Sequence, residues 1–190
     1  MTDLEEYVQA TLKDELALVQ KNFKNTFPEL TDLEKAVIYW YSENGYESIN
    51  NVLRDSKGQK QTRLGEFLYL ALSKLPNYQD VVYRSIRFSK AHLEKYQAVF
   101  EKNEPIIEYA FTSASTSERI ARMFGNGIFF EIFSKTGKSV DKISKYGLTS
   151  GQNEKEVIFR SPTQFLILDI QHSNQSTHIT LQEKIGRAHV

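Results

Sequence analysis

The chain contains no cysteine. This absence excludes disulfide bonds, thiolate catalysis and cysteine-ligated zinc, and it leaves the redox compartment undetermined. The few histidines are scattered along the chain and do not form the converging pairs that zinc requires. We therefore expect no metal site, and we expect surface or loop positions for all of these side chains: His92, His172, His178 and His189.

The chain also lacks an excess of either charge, because 24 basic residues balance 24 acidic ones. A general electrostatic affinity for nucleic acid or an anionic membrane is therefore not expected, and any bound anion must be held locally. No stretch approaches the ~20 apolar residues of a membrane span, and the acidic start lacks the basic and apolar regions of a signal peptide. We expect a soluble monomer without a leader, cytoplasmic or exported by a leaderless route, or else a fragment of a longer protein.

With 190 residues, of which 40% are hydrophobic, the sequence is long enough for one domain with a sizeable core. We assign this domain to residues 1–184, with a helical part at 1–78 and a β core at 79–184. The last six residues, IGRAHV (185–190), resemble a translated sequencing adapter, and we treat them as a non-native tail.

The first part of the chain has the pattern of helices. Thr2 with Glu5, and Thr31 with Glu34, match the capping box that begins a helix, and apolar residues recur at helical spacing after each. The second of these helices is expected to end near Asn44-Gly45, and Pro76 closes the last. The predicted helices cover residues 2–19, 31–44, 49–54 and 64–75.

After residue 80 the sequence changes to short β-branched and aromatic runs separated by turns, which is typical of strands. The pattern predicts an α+β fold, in which N-terminal helices precede a mainly antiparallel, two-sheet β core. A short helix is expected at residues 91–99. The predicted strands cover residues 81–88, 106–115, 127–133, 156–160, 164–170 and 177–182.

Three polar motifs interrupt these strands, and the first is VYRSIRF (82–88). Strand alternation places Arg84 on the same face as Val82 and Ile86, which is the face expected to point inward. A buried guanidinium is costly unless an anion meets it. The anion could be a protein carboxylate or a ligand phosphate, which suits the planar guanidinium equally well.

The second motif, FTSAST (111–116), places the hydroxyls of Ser113 and Ser115 on one face beside Phe111. This pattern fits an ordinary strand end. It also fits a hydroxyl that orients a catalytic carboxylate.

The third motif, EKEVIF (154–159), follows a turn-rich loop, and its period of two predicts that Glu154 and Glu156 point the same way. Two carboxylates so arranged repel each other, and one is expected to stay partly protonated. A solvated strand end with two charges is the simpler interpretation of this motif alone.

Taken together and in order, these motifs resemble the ADP-ribosyltransferase family of the arginine, serine and glutamate class, which includes bacterial toxins and arginine-specific ectoenzymes. The resemblance runs from about residue 39 to 181 and includes INNVLR (49–54), KTGK (135–138) and FLIL (165–168) in addition to the three motifs. It implies a β core that encloses an NAD-binding cleft, with NAD⁺ as co-substrate and an acceptor protein with an accessible arginine as partner.

The resemblance also implies roles in binding NAD⁺. Arg84 would contact the diphosphate, Ser113 would brace the nicotinamide ribose, and Ser85 and Ser115 would complete the NAD⁺ site. At Ser85 the family frequently has glycine, and at Ala114 it has threonine, so we expect altered affinity rather than inactivity.

The two glutamates are the implied catalytic residues. Glu156 would stabilise the oxocarbenium-like ribose as nicotinamide departs, with Ser113 in support. Glu154 would orient the acceptor guanidinium and help to remove its proton, and a glutamate at this position goes with arginine as acceptor in the family. Two loop aromatics, Phe124 and Tyr146, are candidates for contacting the target or stacking on nicotinamide, although packing explains them more simply.

The expected activity is therefore mono-ADP-ribosylation of protein arginine. The alternatives are an NAD⁺ glycohydrolase, in which water replaces the guanidinium, and an inactive NAD⁺-binding or interaction module, which only Ser85 and Ala114 suggest. A DNA-directed transferase is disfavoured because the chain has no basic excess.

Overall fold

Two capping boxes begin the helical part. In each, a threonine hydroxyl accepts from the third helical amide and the glutamate at that position accepts from the threonine amide: Thr2 with Glu5, and Thr31 with Glu34. The computed structural model describes residues 1–147 and 150–186. Within these ranges no helix has the length and apolar character needed to cross a membrane. The α-helices described are α1 (Asp3–Thr11), α2 (Lys13–Asn22), α3 (Asp32–Trp40), α4 (Tyr46–Asp55), α5 (Arg63–Ser73), α6 (Lys90–Glu101) and α7 (Glu118–Met123).

The expected end of a helix near Asn44-Gly45 is wrong. A π-helical turn, Tyr41–Gly45, joins α3 to α4, so the helical backbone continues to Asp55. Gly45 faces the ring of Trp40, where a Cβ would lie 2.4 Å from a ring carbon. Glycine at this position therefore lets the indole pack against the widened turn instead of ending the helix.

The strands form one hydrogen-bonded sheet in the order β2-β7-β8-β4-β1-β3-β6-β5. Its pairings are antiparallel except for that of β4 with β8. The strands are β1 (Val81–Arg87), β2 (Ile106–Glu108), β3 (Thr112–Ser115), β4 (Gly127–Phe133), β5 (Lys138–Ser139), β6 (Glu156–Phe159), β7 (Thr163–His172) and β8 (Thr177–Lys184).

This arrangement confirms the α+β class, with two differences from the expected core: one strand pair is parallel, and the strands form one sheet rather than two. The sheet is nevertheless weakly joined in its middle, because β1 and β3 share only the pair Tyr83 and Ser115. The sheet divides into two parts that separate from this pair. One part has five strands and ends in β1, and the other has three strands and begins with β3. The gap between β1 and β3 is therefore open to side chains from both parts.

Other differences from the predicted elements have local causes. The expected strand at 106–115 is two strands, because β2 pairs with β7 at one edge of the sheet while β3 pairs with β6 near the other. The expected first helix is two helices, because the backbone of Leu12 leaves the helical region with φ −110° and ψ 42°. Both α7 and β5 are short and were not predicted. Of the expected tail at 185–190, residues 187–190 lie outside the described residues.

Two apolar cores lie on opposite faces of the sheet. The helices α1 to α5 enclose the first core, which includes Ile158 from the sheet and Phe111, the residue before β3. The second core contains Val82, Val157 and Phe130 from the other face. Alternate residues of β6 thus enter different cores, as strand geometry requires.

Asn50 fastens the helices to the sheet. Its side-chain oxygen accepts from the amide of Phe111 (3.0 Å), its Nδ2 donates to the hydroxyl of Tyr41 (3.1 Å), and only 5% of the residue is exposed. Since the Phe111 amide lies just before β3, this contact sets where β3 begins relative to α4.

We predict that Asn50→Ala lowers the free energy of unfolding by about 2–4 kcal/mol, because it removes the partner of a buried amide and one partner of a buried hydroxyl. Chemical denaturation measures the change. Asn51→Ala is the matched control, since Asn51 is exposed on the same helix and should change stability by less than ~0.5 kcal/mol. Equal losses in the two variants would contradict this role for Asn50.

Candidate active site

The three polar motifs of the sequence meet at the gap between β1 and β3. All of the site residues expected from the sequence line one cavity of about 160 Å³ there: Arg84, Ser85, Ser113, Ser115, Glu154 and Glu156. This cavity adjoins a larger one of about 700 Å³, which the π-helical turn and α4 border. The larger volume is within the range of about 300–1,000 Å³ that is usual for small-molecule sites.

Arg84 reaches into the gap from β1. It shares a face with buried Val82, as strand alternation predicts, and its Nη1 donates to the backbone oxygen of Ser113 (2.6 Å). Among the described residues it forms no ion pair, so a protein carboxylate is not its partner. A guanidinium has five N–H donors, and those not used by Ser113 are available to an anion in the cleft.

The two serines of β3 have different surroundings. Ser115 is opposite Glu156 in the register, and its hydroxyl donates to the backbone oxygen of Glu154 (2.7 Å) and accepts from the amide of Ser117 (3.1 Å). Its hydroxyl is therefore occupied within the protein, in a position that fixes the chain before β6. The Ser113 hydroxyl faces Glu156 and Tyr41 and is close enough to affect the pKa of both.

Glu156 is the first residue of β6, and only 8% of it is exposed. The Ser144 hydroxyl donates to its Oε2 (3.0 Å). Burial raises the pKa of Glu156, while hydrogen bonds from Ser113 and Ser144 oppose this increase by favouring the ionised form. A solvated strand end is thus the wrong interpretation for this carboxylate.

Glu154 lines both cavities, but strand alternation with Glu156 is not the cause of this position. The strand begins only at Glu156, and Lys155 has a left-handed backbone with φ 50°, so residues 154–156 are not extended. Glu154 is positioned instead by its amide, which donates to the oxygen of Tyr146 (2.7 Å), and by its own oxygen, which accepts from Ser115. Partial burial, together with the charge of Glu156, raises the pKa of Glu154 to about 7.

The two positions that differ from the family pattern, Ser85 and Ala114, both line the smaller cavity. Ala114 is opposite Val157 in the register and packs in the second apolar core, on the other face of the sheet from Ser115 and Glu156. Ser85 is partly buried and lines the smaller cavity.

Two exposed aromatic residues border the larger cavity. Phe124, directly after α7, is 55% exposed, and Tyr146 is 37% exposed. Simple packing therefore does not account for either ring, because both leave a large surface free beside Glu154.

Some residues of the cleft were not identified from the sequence as site residues. Arg54 and Tyr41 line the larger cavity, and Ser144 contacts Glu156. Arg54 is the only basic residue of α4, and a cation on an exposed helical face is a signal that could have suggested it. Ser144 gives no such signal, because it is one of several polar residues in a turn-rich segment.

The cleft contains charged groups of both signs. Arg54 and Arg84 offer guanidinium groups to an anionic part of a ligand, whereas Glu154 and Glu156 offer carboxylates to a part that is or becomes positive. Such a cleft suits a ligand with an anionic middle and a reacting centre that develops positive charge.

Comparison with known proteins identifies relatives with this fold. The family model described as ADP-ribosyltransferase exoenzyme matches residues 17–186. The chain is 32% identical over 156 residues to Mav of Mycobacterium avium, covering 80% of this chain and 18% of the relative. It is 28% identical over 175 residues to the NAD(+)–protein-arginine ADP-ribosyltransferase Tre1 of Serratia proteamaculans, covering 88% and 35%. The chain therefore spans about a fifth and about a third of the length of these relatives.

Solved structures show the same fold at lower identity. ADP-ribosyltransferase HopU1 of Pseudomonas syringae superposes with a TM-score of 0.78 at 21% identity, over 91% of this chain and 87% of that one. ADP-ribosyltransferase Vis of Vibrio splendidus, in complex with agmatine, superposes with a TM-score of 0.68 at 23% identity, over 99% and 88%. Because the family model covers nearly all of the sequence, the chain belongs to the ADP-ribosyltransferase exoenzyme family.

Proposed function

We propose that the chain is an NAD⁺-dependent mono-ADP-ribosyltransferase that modifies arginine side chains of proteins. The observation that carries the proposal is the presence of Glu154 and Glu156 in one cleft with Arg84 and Ser113. The name of Tre1 describes transfer to protein arginine, and Vis was crystallised with agmatine, which carries a guanidinium group. Both support arginine as the acceptor of this chain as well.

The positive part of the cleft is suited to the NAD⁺ diphosphate. Arg84 and Arg54 both border the larger cavity, and guanidinium groups bind phosphate oxygens in a bidentate manner. The nicotinamide end would then enter the smaller cavity beside Ser85 and Ser113. In this orientation the ribose that carries nicotinamide lies next to Glu156.

The reaction would begin with cleavage of the bond between ribose C1′ and the nicotinamide nitrogen. Nicotinamide leaves with the bonding electron pair, and the ribose becomes an oxocarbenium-like cation. The Glu156 carboxylate stabilises this charge, for which it must be ionised. Hydrogen bonds from Ser113 and Ser144 favour that form against the effect of burial.

The acceptor guanidinium would then attack C1′ through one of its nitrogens. Arginine is a poor nucleophile because its pKa is above ~12, so a base must take the proton that is lost when the new bond forms. Glu154 is the proposed base, since its pKa of about 7 lets it accept a proton near neutral pH. The products are nicotinamide, a proton and the ADP-ribosylated arginine.

Replacement of the two carboxylates separates the two steps. We predict that Glu156→Gln lowers nicotinamide release by at least about 100-fold, because the transition-state charge loses its partner. Glu154→Gln should lower transfer to an arginine-like acceptor by about 100-fold while retaining hydrolysis of NAD⁺. Labelled NAD⁺ with and without agmatine measures both reactions. Glu101→Gln, on the exposed end of α6, is the control for loss of a carboxylate elsewhere.

Each contrary result has its own meaning. Near-normal activity of Glu156→Gln would refute the mechanism. Nicotinamide release by the unmodified protein without modification of any acceptor would instead favour an NAD⁺ glycohydrolase. Binding of NAD⁺ without any release would leave an inactive binding module.

Transfer should depend on pH through Glu154. Because a base acts only when deprotonated, we predict that transfer to agmatine falls as pH decreases through about 7, where the Glu154 carboxylate takes up a proton. Rates measured from about pH 5 to about pH 8.5 should show this decline, and Glu154→Gln should lack it. An unchanged midpoint in Glu154→Gln would assign the titration to another group.

The buried charge should also limit stability. Burial raises the pKa of Glu156 in the folded state above its unfolded value of about 4.5. The stability that the protonated Glu156 side chain contributes is therefore fully present below the unfolded pKa, and it is lost as pH rises through the folded pKa. We therefore predict that Glu156→Gln raises the melting temperature at pH ~8 relative to the unmodified protein, because glutamine cannot ionise in this buried position. A lower melting temperature at that pH would show that the ionised carboxylate stabilises the fold.

A further inference from the structure

The turn at residues 140–147 lies against both glutamates. Its Val140 and Ile143 side chains are buried in the first core, which the helices enclose. Ser144 follows them beside β6, and only 1% of this residue is exposed. The turn is tight, because a Cβ on Gly147 would lie 1.8 Å from the backbone oxygen of Asp141. A side chain at position 147 therefore does not fit without a shift of this turn.

We propose that Ser144 is a positioning residue for Glu156, which holds the carboxylate in the ionised form and orientation that cleavage of NAD⁺ requires. The inference rests on the function proposed above and adds a residue outside the three motifs. Its basis is the hydrogen bond from Ser144 Oγ to Glu156 Oε2 (3.0 Å) between two buried groups that are 12 residues apart.

The turn itself is fastened to the wall of the cleft. The amide of Lys145 donates to the Ser42 hydroxyl (2.7 Å), and the Lys145 ammonium pairs with Glu43 (3.1 Å), so the π-helical turn holds the residue next to Ser144. The backbone oxygen of Tyr146 accepts from the Glu154 amide (2.7 Å). One turn thus connects the π-helical wall to both carboxylates.

Glu156 depends on hydroxyl donors because no cation pairs with it among the described residues. The charged and titratable groups that line the two cavities with Glu156 come from several elements: Glu154 before β6, Tyr83 and Arg84 of β1, Tyr41 and Glu43 of the π-helical turn, Tyr46, Glu47 and Arg54 of α4, and Tyr146 of the turn at 140–147. The charge of Glu156 acts on Glu154, whose pKa it raises, and Arg84 is directed to the Ser113 carbonyl. A buried donor at Ser144 therefore has a large effect on the ionised form.

The test compares Ser144→Ala and Ser144→Cys, which remove the hydroxyl, with Ser144→Thr, which keeps it. Cysteine nearly preserves the volume and is a weak donor, so this variant separates loss of the hydrogen bond from loss of packing. Ser139→Ala is the matched control, because that hydroxyl belongs to the neighbouring β5 and, within residues 1–147 and 150–186, donates a hydrogen bond to Asp141 (3.3 Å) rather than to a glutamate of the site.

We expect Ser144→Ala and Ser144→Cys to lower the kcat of nicotinamide release without acceptor by about 10- to 100-fold, with little change in KM for NAD⁺. The acidic limb of the pH profile should move to higher pH, because loss of the donor raises the pKa of Glu156 further. Ser144→Thr should restore most of the rate, and Ser139→Ala should match the unmodified protein.

A second readout does not need activity. NMR of the protein with carboxyl-labelled glutamate, assigned with Glu156→Gln, follows the titration of Glu156 directly, and it should shift to higher pH in Ser144→Ala and Ser144→Cys. An unshifted titration, or a loss of rate that follows melting temperature alone, would overturn the role of Ser144. If the unmodified protein releases no nicotinamide, the proposed function fails, and the titration still decides whether Ser144 controls Glu156.

Discussion

The burial of the Glu156 carboxylate is the constraint around which the cleft is organised. A carboxylate with 8% exposure loses most of its hydration, and its ionised form must be stabilised by the protein. A direct ion pair would do so, but it would also neutralise the charge that the proposed transition state needs. Hydroxyl donors at Ser113 and Ser144 support ionisation while they leave the charge available.

The architecture supplies these donors from separate elements. Ser113 belongs to β3 and Ser144 to a turn that the π-helical wall holds in place through Ser42. The cleft exists because β1 and β3 meet at a single residue pair and then separate. Arg84 crosses this gap to the Ser113 carbonyl, so the residue proposed to bind the diphosphate also ties the two parts of the sheet together.

The helical part of the chain contributes more than a scaffold. The π-helical turn and α4 form one wall of the larger cavity and bring Tyr41 and Arg54 to it. Asn50, between them, hydrogen-bonds both to Tyr41 and to the amide just before β3. The position of this wall relative to the serines of β3 is therefore set by a buried polar contact rather than by apolar packing alone.

The sequence alone determined the class of fold, the capping boxes and most of the helices and strands, because periodicity is a local property. Its resemblance to a known family indicated six of the residues that line the cleft, but not Tyr41, Arg54 or Ser144. It gave the wrong reason for the common location of Glu154 and Glu156, since the left-handed Lys155 breaks the alternation. Only the tertiary structure decided which groups surround Glu156. Three features arise from contacts between residues far apart in the chain: the Ser144 hydrogen bond to Glu156, the surroundings of Arg84, which hold no paired carboxylate among the described residues, and the gap beside the pair of Tyr83 and Ser115.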